Sequence, residues 1–90
     1  MMVTIEMRSS YNLTPKVVDY IKSNGFNIQH TQLATWIGEE GKYQIYKHVW
    51  MEDATRKDVN GLLGIFKGCA RISDWDDGWL LIEIDDDWDK

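Results

Sequence analysis

The last 17 residues carry eight carboxylates, Asp74, Asp76, Asp77, Glu83, Asp85, Asp86, Asp87 and Asp89, against the single cation Lys90. Residues 1–73 hold nine basic and seven acidic side chains, so the formal net charge of −5 divides into +2 and −7 along the chain. A net acidic chain is repelled by phosphates and by anionic lipid, which argues against direct nucleic-acid or membrane binding and for a basic partner. Glu83, Asp85, Asp87 and Asp89 fall on alternate positions. If strand geometry runs on to the C-terminus, they project from one face at intervals of about 6.6 Å and span about 20 Å. DNA also presents regular negative charge, and proteins grip it through lysine and arginine, so a carboxylate ladder can occupy the same basic groove. The eight carboxylates are therefore the candidate partner-binding, phosphate-mimicking residues. Trp75, Trp79 and Trp88 among them are candidate interface aromatics, since tryptophan is enriched at binding hot spots. An exposed strand with Leu80, Ile82 and Ile84 turned to the core and a solvated acidic tail gives the same pattern.

Other chemistries find less support. His30 and His48 can face each other across a hairpin, but a metal site needs further ligands and Cys69 is the single thiol, so no metal or other cofactor is expected. Cys69 has no identifiable base beside it and reads as a small apolar group. Measured against a calcium loop starting at Asp74, the fifth position is Gly78, the sixth Trp79 and the twelfth Asp85, so the pattern fails where it is most diagnostic. Paired carboxylates do acid-base work only in an enclosed cleft, which so short a chain has little room to build. Gly61, Gly64 and Gly68 recur inside a helical pattern and not before one, which excludes a phosphate loop. No nucleophile, base and orienting group stand together, and the expectation is a non-enzyme.

These residues need elements to position them. Val3, Ile5 and Met7 alternate with polar residues, predicting a first strand. Leu13-Thr14-Pro15 announces a helix to about Asn24, with Thr14 placed to cap, Leu13 to staple onto Val18, Val17, Val18 and Ile21 as the apolar stripe, and Gly25 as the stop. Phe26 to Ile37 and Lys42 to Trp50 read as a hairpin turning at Gly38-Glu39-Glu40-Gly41. Thr55 with Asp58 is a capping box for a helix over roughly 56–67, whose stripe is Val59, Leu62, Leu63 and Phe66 and whose end is Gly68. A last hairpin runs from Ala70 to Trp75, turns at Asp76-Asp77-Gly78 and returns from Trp79 to Asp85. The predicted class is α+β in the order β-α-β-β-α-β with one extra short strand before the last. Its sheet is antiparallel or mixed, two helices lie on one face, and the order is ferredoxin-like.

Ninety residues make one domain, 1–90, with an acidic C-terminal segment, 74–90. A lone cysteine forms no intrachain disulfide, and neither an export signal nor a membrane span is visible, so a cytoplasmic setting is expected. The strand Lys42 to Trp50 carries large apolar residues on both faces, which predicts a homodimer through a sheet face or a strand edge.

In its length and its Trp-Asp-rich end, Asp74-Trp75-Asp76-Asp77-Gly78-Trp79 and Asp85-Asp86-Asp87-Trp88-Asp89, the chain resembles the small acidic counter-defence proteins of bacteriophages, and among them the anti-restriction proteins of T-even phages. That resemblance implies an intracellular, dimeric DNA mimic that occupies the DNA-binding surface of a host restriction endonuclease of the modified-DNA-cleaving type. Binding to a host nucleoid protein is a further implication. The rival readings are a generic protein-interaction or assembly module without mimicry, and a small enzyme whose site is assembled in a dimer. Salt separates the first two, because electrostatic mimicry weakens steeply with ionic strength and an apolar interface does not.

Overall fold

Val3, Ile5 and Met7 are buried and the residues between them are not, so the first strand, β1 (Met2–Met7), turns one face inward as its alternation requires. The computed structural model describes residues 1–10, 12–38 and 41–90, with side chains outside residues 30–44. The remaining elements are α1 (Pro15–Ser23), β2 (Gln29–Gly38), β3 (Gly41–Met51), α2 (Arg56–Ile65), β4 (Ala70–Asp76) and β5 (Trp79–Ile84). The predicted turn residues Glu39 and Glu40 lie outside the described residues.

The five strands form one mixed sheet in the order β2-β3-β1-β5-β4. β1 runs antiparallel to β3 and parallel to β5, with Val3 beside Leu80, Ile5 beside Ile82 and Met7 beside Ile84. These rows, extended by Val49 and Met51 of β3, make the floor of the core. Burying a side chain such as Ile82 contributes about 1.5–3 kcal/mol. Each helix crosses between parallel strands, α1 from β1 to β2 and α2 from β3 to β4, and both bury their apolar stripes in the same cluster as that floor. The α+β class and element order are those predicted. Because the β4–β5 hairpin reverses the chain once more, the last strand lies beside β1 but parallel to it, and β4 is displaced to the edge.

β3 pairs with β2 along most of its length and with β1 at Trp50 and Met51.

Local sequence accounts for the helix ends. Pro15 opens α1, and Thr14 holds the N-cap position in extended conformation, although its hydroxyl makes no capping bond. The chain leaves α1 through Gly25 at φ 90°. The capping box at α2 is complete: the Asp58 amide donates to Thr55 Oγ1 at 3.2 Å and the Thr55 amide to Asp58 Oδ2 at 2.8 Å. That second bond holds the Asp58 carboxyl below its ordinary range. α2 stops at Ile65, two residues short of its predicted end, because Lys67 turns left-handed at φ 51° ahead of Gly68.

The two glycines inside α2 differ. A Cβ on Gly61 would meet the Phe26 ring at 3.0 Å, whereas one on Gly64 would meet nothing within 4 Å. Gly64→Ala is expected to raise stability by about 0.5–1 kcal/mol. Gly61→Ala should gain less or lose, since the ring must move to admit the methyl. Urea denaturation of the two variants side by side checks the order.

Candidate functional site

The carboxylate row does not run as predicted. β5 ends at Ile84, and the chain then coils into turns in which the Trp88 amide donates to the Asp85 carbonyl at 3.2 Å and the Lys90 amide to the Asp87 carbonyl at 3.0 Å. Extended spacing is therefore lost beyond Ile84, and Asp85, Asp87 and Asp89 do not continue a straight ladder from Glu83. The physical reason is Trp88. Its ring packs at 4.9 Å from Tyr20 and 5.5 Å from Phe66, closing the end of the helix layer, and the chain must turn back to put it there. Burying that much apolar surface outweighs continuing a strand with no further partner.

Most of the row is also neutralised within the molecule. Arg71, opposite Glu83 on β4, donates to Glu83 at 3.2 Å and to Asp85 at 2.8 Å. Arg8 lies 3.8 Å from the second oxygen of Asp85, a buried atom that accepts no hydrogen bond. Lys16 pairs with Asp89 and stands 6.0 Å from the Trp88 ring centre. Asp86 accepts from the Ser9 hydroxyl at 2.8 Å. Glu6, side by side with Glu83 on the parallel strands, is held above the ordinary glutamate range, first by burial and then by the Glu83 charge.

These contacts set the response to acid. The Arg71 hydrogen bond pulls Asp85, and the Lys16 hydrogen bond pulls Asp89, below the usual carboxylate range. Carboxyls with depressed folded values stabilise the fold above the unfolded value, near pH 4, and lose that contribution as pH falls through the folded value. Glu6 acts in the opposite sense, contributing below its ordinary value and losing that contribution as pH rises. The thermal midpoint should therefore drop as pH falls below about 4. In Arg71→Gln, the Asp85 carboxyl should titrate closer to the ordinary value, which carbon-detected NMR of the side-chain carboxyl reads directly.

No described lysine or arginine pairs with Asp74, which lies opposite Leu81 in the middle of β5, with Asp76 or Asp77 at the start of β5, or with Asp86 or Asp87 beyond its end. Asp74 and Asp76 accept hydrogen bonds at 2.8 and 2.7 Å from the amides of the residues that follow them, Trp75 and Asp77. Within the Asp76-Asp77-Gly78 turn, Gly78 takes φ 74° and Asp77 does not adopt a positive φ.

The tryptophans separate in the same way. Trp88 belongs to the core rim, and Trp79 is half-buried with its indole N–H donating to Thr4 Oγ1 at 3.0 Å. Trp75 is 71% exposed. A register shift at Ser73 explains its position: Ile72 pairs with Ile82, but Asp74 pairs with Leu81 and Trp75 with Leu80. The extra residue brings Ile72 and Trp75 onto the helix side of β4 and leaves Asp74 and Asp76 on the other. Ile72, Trp75, Leu80 and Met1 line an open groove of about 480 Å³, with Arg56 and Asp76 at its margin. Ile72 and Met1 are missing from the sequence-predicted site, because an Ile-x-x-Trp spacing shares a strand face only where a bulge resets the alternation.

Elsewhere, the backbone of His30 lies in β2, while His48 is exposed with its ring 6.0 Å from that of Trp50. Among the described residues, no three His, Cys, Asp or Glu side chains gather to hold a metal ion. Cys69 is a free, half-buried thiol. Within the described residues, no helix is long and apolar enough to cross a membrane. No protein-family model, curated protein or solved structure matches the chain.

Proposed function

We propose that this chain is a non-enzymatic inhibitor that binds a basic DNA-binding protein, such as a host restriction endonuclease or nucleoid protein, at the surface that protein uses for DNA. One observation carries the reading: Asp76 and Asp77 at the start of β5, Asp86 and Asp87 beyond its end, and Asp74 opposite its middle have no cation partner among the described residues. The length of β5 separates Asp76 and Asp77 from Asp86 and Asp87 by roughly 20 Å, about the span of six phosphates on one DNA strand. Carboxylates held apart by β5 and left without an internal cation are available to lysines and arginines elsewhere. The ion-paired Glu83, Asp85 and Asp89 hold the scaffold in this reading, a change from the even row expected of the sequence.

A second reading has its own observation. Trp75, exposed beside Ile72, suits an interaction module held by apolar contact without mimicry. Competition separates the two. Partners captured on immobilised protein and identified by mass spectrometry are challenged with duplex DNA and with salt. Mimicry requires that both release the partner. A partner that holds DNA and this protein at the same time contradicts mimicry and supports the interaction module.

A further inference from the structure

We infer that the groove between the start of α2 and β4 is a docking surface for an acidic segment of a partner protein, one that sets an apolar side chain beside a carboxylate. The inference goes beyond the DNA-competitive reading and does not rest on it. Met1, Met2, Ile72 and Trp75 are the large apolar side chains left exposed among the described residues. Met1, Ile72 and Trp75 converge on this one groove of about 480 Å³. Apolar surface left in water and gathered in one concavity marks a contact site, and the Trp75 indole, 71% exposed, is its largest element.

Charge selects the occupant. Arg56, the first residue of α2, lines the groove together with Met1, whose ammonium donates to the Ala54 carbonyl at 3.1 Å. Arg56 has no carboxylate partner among the described residues. Asp74 and Asp76 project from the opposite face of β4 and accept from the amides of Trp75 and Asp77, so neither answers it. A cationic occupant would meet like charge here, whereas a carboxylate meets an unpaired guanidinium whose forked donors match its two oxygens. The apolar side chain beside that carboxylate then covers the indole. Strand addition to the β4 edge is disfavoured, because the register shift between Ile72 and Asp74 breaks the edge and the Trp75 amide is already taken. Recognition therefore runs through side chains.

The test is an NMR titration with the end-capped, tryptophan-free peptide Glu-Asp-Leu-Phe-Asp-Glu. Of the five tryptophan indole N–H signals, that of Trp75 is assigned by its loss in Trp75→Ala. The Trp75 indole and the Ile72 methyls should shift, with affinity in the millimolar range or better. Trp75→Ala should weaken binding about fivefold or more at an unchanged thermal midpoint. Arg56→Gln should weaken it about threefold or more and remove most of its salt dependence. Replacing the Leu-Phe pair of the peptide by glycines, or its acids by lysines, should abolish the shifts at Trp75. No shift of Trp75 or Ile72 at millimolar acidic peptide overturns the inference, as do shifts unchanged by Arg56→Gln or matched by the lysine peptide. A dimer in sedimentation equilibrium that Trp75→Ala dissociates, and that leaves the acidic peptide unbound, gives the groove to a second copy and overturns it as well. None of these outcomes bears on competition with DNA, which is read on a basic partner.

Discussion

Trp88→Ala should destabilise the protein by about 2–3 kcal/mol, below the roughly 3–5 kcal/mol for truncating a fully packed aromatic because the Trp88 ring is only half-buried. The ring contacts both Tyr20 and Phe66, so its loss opens the end of the helix layer and frees the turn that seats Asp89 on Lys16. Tyr20 also donates from its hydroxyl to the Ile65 carbonyl at 2.6 Å, tying α1 to α2, and that link should loosen with it. Urea denaturation gives the value. A variant of wild-type stability that fails to bind its partner would instead return Trp88 to the interface.

Neutralising the acids at two places should give opposite results. The quadruple variant Glu83→Gln, Asp85→Asn, Asp87→Asn and Asp89→Asn removes the partners of Arg71, Arg8 and Lys16, and its thermal midpoint should fall by several degrees. An evenly spaced, unpaired row would do the reverse, because relieving repulsion among like charges stabilises. The triple variant Asp74→Asn, Asp76→Asn and Asp77→Asn removes charges that no described cation answers, so its midpoint should hold or rise slightly. Its affinity for a basic partner should fall roughly tenfold or more, the combined scale of a few exposed ion pairs. Calorimetry and binding titrations on the two variants check both halves.

The difference between these variants marks where the sequence stops being informative. Alternation in Val3-x-Ile5-x-Met7 and in Leu80-x-Ile82-x-Ile84, and helical spacing from Val59 to Phe66, are read without tertiary knowledge because each element buries one periodic face. The capping box at Thr55 and Asp58 is equally local. By contrast, the ion pairs of Arg71, Arg8 and Lys16 join residues 12 to 77 positions apart, brought together by strand order. The alternation of Glu83, Asp85, Asp87 and Asp89 suggested extended chain, and the tertiary pull of Trp88 into the Tyr20–Phe66 niche broke it after Ile84. The register shift at Ser73 is likewise silent in sequence, since neither glycine nor proline marks it, and with it the pairing of Ile72 and Trp75 on one face was hidden.

Competition between this protein and duplex DNA for one captured basic partner, repeated with the Asp74→Asn/Asp76→Asn/Asp77→Asn variant at low and high salt, is the most direct measurement. Exclusive binding, an affinity that falls steeply with salt, and a weaker, less salt-sensitive complex for the variant are the expected results. A partner that binds DNA and this protein together, with equal affinity for wild type and variant at both salt concentrations, would contradict the account.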